Sequence, residues 1–141
     1  MLINMTLKDF LAEAASATPA PGGGSVSALV GALGAALTSM VCELTTEKDA
    51  DPAALAQVAQ TKTEVLALMD SLQQAVDRDT QVFNKVMDAY RMPKATDAEK
   101  QVRSAAIQNS LKEAADEPCG AAALCLEVMK KASAMLRIGN R

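Results

Sequence analysis

Histidine and tryptophan are both absent from this 141-residue chain, and its aromatic side chains are limited to Phe10, Phe83 and Tyr90. Without histidine, Ser-His-Asp and Cys-His catalysis are excluded, so any proton transfer falls to Asp, Glu, Lys, Tyr or Cys. A core with so few aromatic side chains must be built from Ala, Leu, Val and Met, which favours closely packed helices. Alternating β-branched and aromatic runs are also missing, so we expect no β-sheet.

Cysteine is sparse as well, and the basic residues form no cluster. The three cysteines, Cys42, Cys119 and Cys125, form no C-x-x-C pair, and without histidine they indicate neither a zinc site nor a disulfide framework. We expect no bound metal, and free thiols without a charged-then-apolar leader are typical of a cytoplasmic protein. The net charge is −3 and no basic block occurs, so nucleic acid is not expected as a partner.

Glycine and proline are concentrated in one stretch, Pro19-Ala20-Pro21-Gly22-Gly23-Gly24-Ser25. The prolines stop a helix from running through it, and three consecutive glycines let another group approach the main chain closely. Free N–H groups at the start of the helix that follows would suit an anionic or carbonyl group, although glycine-rich loops also simply turn corners. The stretch is not a Walker A motif, and it follows a helical pattern at 6–17 rather than a strand.

The segment from Ser25 to Thr46 predicts a helix that is apolar on every side, so it is either the centre of a bundle or a membrane span. Its uncharged part, 25–42, is barely long enough for a bilayer and has no flanking basic cluster or aromatic belt. We therefore expect a buried central helix and no membrane contact. Small residues give this helix one thin face, where another helix of the chain or of a dimer can pack closely; they are Ala28, Gly31, Ala32, Gly34, Ala35 and Ala36.

Asp51-Pro52 predicts the start of a long amphipathic helix that continues to Tyr90, because no further glycine or proline interrupts it. Apolar residues recur along it at heptad spacing, and Lys62 and Asp79 are the polar exceptions on this seam. Lys62 can extend to water, but the short side chain of Asp79 cannot. A carboxylate on a core seam is costly unless it is paired, so Asp79 is either a structural contact or a general acid–base group.

After a break at Arg91–Lys94, Thr96 and Glu99 form a capping-box pattern that starts another helix. Pro118 either kinks this helix or begins the next, and an apolar stripe continues to Gly139-Asn140. The pattern predicts an all-α protein: one domain over 1–141, folded as an up-and-down helical bundle with one central apolar helix and one long amphipathic helix.

Taken together, these segments resemble the formiminotetrahydrofolate cyclodeaminase / methenyltetrahydrofolate cyclohydrolase family. The matching pieces are Phe10-Leu11, Pro19–Ser25, Leu37-Thr-Ser-Met40, Asp79-x-x-x-Phe83, Ala89-Tyr90-Arg-Met-Pro93-Lys94, Arg103, Ala106-Ile107-Gln108 and Lys112-x-x-Ala115-x-x-Pro118. Members of the family are longer, so the resemblance also implies further C-terminal helices that this sequence lacks.

The resemblance implies a homodimeric enzyme of one-carbon metabolism with a tetrahydrofolate derivative as substrate and no separate cofactor. It would either cyclodeaminate 5-formiminotetrahydrofolate or hydrolyse 5,10-methenyltetrahydrofolate, and the sequence does not separate the two reactions. Asp79 and Lys94 are then the expected catalytic residues. The substrate-binding residues would be Pro21, Gly22, Gly23, Gly24, Ser25, Phe83 and Arg103.

Two other interpretations of the same sequence stay open. One is a non-catalytic helical oligomerisation protein that keeps the scaffold without the chemistry. The other is a membrane hairpin built on 25–42, which recovery of the protein without detergent would exclude.

Overall fold

A computed structural model describes residues 1–48 and 50–139 of the chain. It contains a 3₁₀ turn at Leu2–Asn4 and four α-helices, which are α1 (Leu7–Ala14), α2 (Gly23–Leu44), α3 (Pro52–Arg91) and α4 (Asp97–Ile138). No strand occurs in these described residues, and the prediction of an all-α protein is confirmed. The predicted helix end at Gly139-Asn140 is only partly covered, because Asn140 and Arg141 lie outside the described residues.

Local capping interactions set the helix starts where the sequence predicts them. Asp51 accepts a hydrogen bond from Ala54 N at 2.8 Å, with Pro52 as the first residue of α3. Thr96 and Glu99 form a reciprocal capping box at the start of α4. The hydrogen bond from Thr96 N–H holds the pKa of the Glu99 carboxyl below its usual value.

Helix α4 runs through Pro118 instead of restarting there. Ile107, Ala121, Val128 and Met135 are its buried residues, and they are spaced by multiples of seven on both sides of the proline. The seam packs against α2 and α3, with Ala121 and Val128 in the shared core, so tertiary contacts support the helix where the proline removes a backbone donor.

The core lies where α2, α3 and α4 meet. Its main cluster contains Ala28, Ala32 and Ala35 of α2. At Gly31 a Cβ would lie 2.5 Å from Sγ of Cys125 on α4 and 3.2 Å from a methyl carbon of Leu72 on α3. The thin face of α2 is therefore used within the chain, where it brings the two long helices close to the α2 backbone.

The opposite face of α2 is exposed, which corrects the expectation that the helix is buried all round. Val30, Leu33, Leu37, Met40 and Leu44 are between 50% and 62% exposed, and they follow one another at alternating spacings of three and four. By length and composition alone α2 meets the requirement for crossing a membrane, as the core helices of many soluble proteins do, and 39% of its apolar window is buried.

Replacing Gly31 with alanine tests the close approach of the helices. The added methyl group overlaps Cys125 Sγ, so we expect Gly31→Ala to lower the free energy of unfolding by about 1–2 kcal/mol despite alanine's better helix propensity. Urea denaturation followed by circular dichroism measures the change.

Gly120→Ala is the matched control, because nothing lies within 4 Å of a Cβ at this exposed position of α4. It should be stabilising by about 0.5–1 kcal/mol. Equal effects of the two substitutions would contradict the close packing described here.

Candidate active site

Asp79 belongs to α3 and lies beside the start of α2. The two helices run antiparallel, so this part of α3 is next to the glycine-rich bend that precedes α2. Asp79 Oδ2 accepts a hydrogen bond from Ser25 N–H at 2.9 Å, and Ser25 Oγ lies 2.8 Å from the same oxygen. The acidic side chain on the α3 seam therefore faces the glycine-rich bend. A carboxylate at a helix N-terminus is favoured electrostatically as well as by these hydrogen bonds.

At position 24 a side chain would overlap this carboxylate, whereas at position 22 it would make an ordinary contact. A Cβ on Gly24 would lie 2.1 Å from Asp79 Oδ1, and one on Gly22 would lie 3.6 Å from Oδ2. No hydrogen bond from the N–H of Gly23 or Gly24 is found within the described ranges. These two N–H groups at the start of α2 therefore have no hydrogen-bond acceptor among the described residues.

The two oxygens of Asp79 have different surroundings. Oδ2 accepts both hydrogen bonds from Ser25, whereas Oδ1 has none from residues 1–48 and 50–139. Oδ1 is also accessible to solvent. Within residues 1–48 and 50–139, the side-chain atoms that are both enclosed and without a hydrogen-bond partner belong to Asp77 and Thr80, and none belongs to Asp79. One oxygen thus orients the carboxylate while the other can exchange a proton or face a cation.

A cavity of about 320 Å³ opens between the start of α2 and the middle of α4. Gly23, Gly24 and Ser27 line one wall, and Pro118, Ala121, Ala122 and Cys125 line the other. Gly24 also contacts Asp79, so the carboxylate and the cavity are neighbours. The volume is within the range of about 300–1,000 Å³ that is typical of small-ligand pockets.

Ser25 and Pro21 do not present a surface to a ligand, although the sequence places them in the binding loop. Both are buried, and Ser25 is 0% exposed. The role of Ser25 is to hold Asp79, because its Oγ lies between Asp79 Oδ2 and the carbonyl oxygen of Val76, which is 2.9 Å away. Of the loop residues, the glycines at 22–24 retain exposed surface.

Lys94, the second predicted catalytic residue, is not brought to Asp79 within one chain. It is exposed in the link between α3 and α4, and Arg91 at the end of α3 is already about 18 Å along the helix from Asp79. No ion pair of Lys94 is found in the described part of the chain. The two expected catalytic residues, Asp79 and Lys94, are therefore not brought together within the single chain.

The other two predicted binding residues lie on α3 and α4. Arg103 donates to the carbonyl oxygen of Tyr90, with its Nη2 at 3.1 Å, and its guanidinium lies over the Tyr90 ring. It therefore joins the end of α3 to α4 without any ligand. Phe83 is half-buried one turn beyond Asp79 on the same face of α3, where its ring borders the helix interface.

Sequence reasoning missed the α4 wall of the cavity and the buried carboxylate of Asp77. On the α4 side the cavity is lined by Pro118, Ala121, Ala122 and Cys125, whose small side chains leave space and are the one available signal. The sequence does not mark Asp77 as buried, because this residue lies off the apolar seam of α3, where a charged side chain is expected to face solvent. No group of three or more metal-ligating side chains occurs among the residues that the structure describes.

The fold and the site define an all-helical protein in which a carboxylate with one free oxygen sits on a glycine-rich helix start beside a small cavity. The sequence model of the formiminotransferase-cyclodeaminase family matches residues 6–141. The chain belongs to this family.

Individual relatives agree with that assignment. A methenyltetrahydrofolate cyclohydrolase of Methylorubrum extorquens is 41% identical over 97% of this chain, and a formimidoyltransferase-cyclodeaminase of Mus musculus is 31% identical over 99%. The crystal structure of formiminotetrahydrofolate cyclodeaminase from Thermotoga maritima matches 99% of the chain with a TM-score of 0.82 and 27% identity. The chain spans 66% of the length of the M. extorquens and T. maritima proteins and 26% of the mouse protein.

Removing the Ser25 hydroxyl tests its contact with Asp79. Ser25→Ala deletes a fully buried donor to a carboxylate, so the free energy of unfolding should fall by about 1–3 kcal/mol. Ser27→Ala, an exposed change on the same turn of α2, should stay within about 0.5 kcal/mol of the wild type. If thermal and urea unfolding show no difference between the two variants, the hydroxyl does not hold Asp79.

Proposed function

We propose that the protein hydrolyses 5,10-methenyltetrahydrofolate to 10-formyltetrahydrofolate, with Asp79 as the group that moves protons. The observation that carries this proposal is the carboxylate held through Oδ2 with Oδ1 left free beside a cavity. The name of the M. extorquens relative supports the choice of reaction, because its identity of 41% extends over nearly the whole chain. Histidine-free proton transfer by a carboxylate also agrees with the composition.

The chemistry needs one oriented carboxylate near a cationic carbon. Water adds to the methenyl carbon, and Asp79 Oδ1 takes a proton from it as the new C–O bond forms. The bond from this carbon to N5 then breaks, N5 receives a proton, and the carbon stays on N10 as a formyl group. One proton is released overall, and the carboxylate charge stabilises the cationic carbon before the attack.

Other parts of the site have supporting roles in this proposal. The N–H groups of Gly23 and Gly24 would donate hydrogen bonds to a carbonyl group of the substrate, and the absence of side chains lets its ring system lie against the backbone. The small α4 wall provides the space opposite. We further propose that the enzyme works in the cytoplasm without a bound metal or cofactor, and the free cysteines support that compartment.

Cyclodeamination is the second candidate, because the T. maritima protein that shares the fold is a formiminotetrahydrofolate cyclodeaminase. In that reaction N10 bonds to the formimino carbon and the bond to the formimino nitrogen breaks. The nitrogen leaves as ammonia with the N10 proton and one further proton. The same carboxylate would supply that further proton, so the release of ammonia distinguishes the two reactions.

We also propose that two copies associate through the exposed face of α2. Val30, Leu33, Leu37, Met40 and Leu44 form a heptad-spaced apolar stripe, which is the pattern that packs knobs into holes between helices. No charged residue occurs from Val26 to Cys42, so two copies can meet here without like-charge repulsion. The resemblance to a homodimeric family supports a second copy as the occupant.

Replacing Asp79 with asparagine tests the proposed reaction. Asparagine keeps a carbonyl oxygen for Ser25 but cannot take a proton, so kcat should fall by about 100-fold or more. The decrease of methenyltetrahydrofolate absorbance measures hydrolysis, and ammonia release from 5-formiminotetrahydrofolate measures cyclodeamination. Asp70→Asn, an exposed change of the same charge on α3, is the control and should keep the wild-type rate.

Gly24→Ala provides an independent check, because its methyl group would overlap Asp79 Oδ1 and displace the carboxylate. It should lower kcat by about 100-fold, whereas Gly120→Ala should not. Wild-type rates in both Asp79→Asn and Gly24→Ala would contradict the proposed role of Asp79. A wild-type protein with neither activity would favour the non-catalytic oligomerisation protein.

The self-association proposal predicts that a charge on the α2 stripe breaks the dimer. Leu37→Glu places a carboxylate in the middle of the stripe, and sedimentation equilibrium should then show a monomer. Val102→Glu, at an equally exposed apolar position of α4, should leave the dimer intact. A wild-type protein that is monomeric at every concentration would overturn the proposal.

A further inference from the structure

A second open groove, of about 420 Å³, lies on the other side of α3 from the candidate active site. Met1, Leu2 and Met5 line it from the N-terminal segment, and Asp77, Thr80 and Gln81 line it from α3. Asp77 and Asp79 are two residues apart, so their side chains point about 200° apart around the helix axis. The groove is therefore separate from the cavity beside Gly24.

Asp77 is the main polar group of this groove. It is 7% exposed, and its Oδ1 accepts a hydrogen bond from Leu2 N–H at 2.5 Å. Its other oxygen, Oδ2, is enclosed and has no hydrogen-bond partner within residues 1–48 and 50–139. No ion pair of Asp77 is found in these ranges either. The buried carboxylate therefore accepts one hydrogen bond, although a carboxylate can accept several.

Thr80 lies one helical turn beyond Asp77 on the same face of α3, and its Oγ1 is also enclosed without a partner among the described residues. An enclosed hydroxyl and an enclosed carboxylate oxygen without partners each cost free energy unless a bound group satisfies them. Asp77 and Thr80 both line the groove. The side chains that face these two residues from the N-terminal segment are apolar and belong to Met1, Leu2 and Met5.

We infer that this groove binds a small organic cation that carries N–H donors on a short apolar body, such as a primary alkylammonium ion. The ammonium N–H groups donate to Asp77 Oδ2 and Thr80 Oγ1, and the positive charge compensates the buried carboxylate. The alkyl body contacts the methionine and leucine side chains. A site of this kind is independent of folate chemistry, because it lies on the opposite face of α3.

Isothermal titration calorimetry of the whole chain with n-butylammonium chloride tests the inference. We expect one site with a millimolar dissociation constant, and several-fold weaker binding of methylammonium because it lacks the apolar body. Asp77→Asn, which keeps an acceptor for Leu2 N–H, should weaken binding at least tenfold, and Thr80→Val should weaken it several-fold. Asp70→Asn removes the same charge from an exposed position of α3 and should leave the affinity unchanged.

A measurement on the wild-type protein keeps the inference testable if the variants fail to fold. In ¹³C-methyl methionine NMR, n-butylammonium should shift the signals of Met1 and Met5, and it should leave Met135 on the far end of α4 unchanged. No saturable shift, or equal shifts at all exposed methionines, would overturn the proposal. An unchanged affinity in Asp77→Asn would do the same.

Discussion

The structure depends on how closely the start of α2 approaches the middle of α3. Ser25 donates to Asp79 from its main chain, and its hydroxyl lies within hydrogen-bond distance of the same carboxylate. Gly24 leaves the room for that carboxylate, since no side chain larger than hydrogen fits there. Farther along the pair, Ala28, Gly31, Ala32 and Ala35 continue the thin face and keep the two helices close over their length. The face of α2 that carries only small side chains therefore allows both the close helix packing and the position of Asp79 at the candidate site.

Placing small residues inward has a consequence for the outside of the molecule. Five large apolar residues of α2 are turned away from α3 and α4, and they form the exposed stripe from Val30 to Leu44. Isolated soluble domains rarely expose a continuous apolar stripe of this kind, because burying it is favourable by roughly 25 cal/mol per Å². A second copy that covers the stripe would also lie along the helix whose first turn holds Asp79. Assembly and the orientation of the carboxylate would then share one helix.

The use of Asp77 and Asp79 shows how two neighbouring carboxylates of one helix can take unrelated positions. Asp79 faces α2 and is satisfied at one oxygen by a helix N-terminus, which is a favourable place for a negative charge. Asp77 faces the N-terminal segment and is satisfied at one oxygen by the Leu2 N–H. In each case the backbone of another segment holds one oxygen, and the second oxygen has no hydrogen-bond partner among the described residues.

Helix limits and fold class follow from the sequence alone, because caps, prolines and heptad spacing act within a few residues of the chain. Asp51 and Thr96 cap the helices that they were predicted to cap, and the polar position of Asp79 on an apolar seam marks it for the candidate site. The tertiary structure alone decided which face of α2 is buried, since an all-round apolar helix carries no pattern that tells one side from another. It also separated Lys94 from Asp79, assigned Ser25 to the carboxylate instead of the substrate, and enclosed Asp77, because these depend on distances between segments that are far apart in the chain.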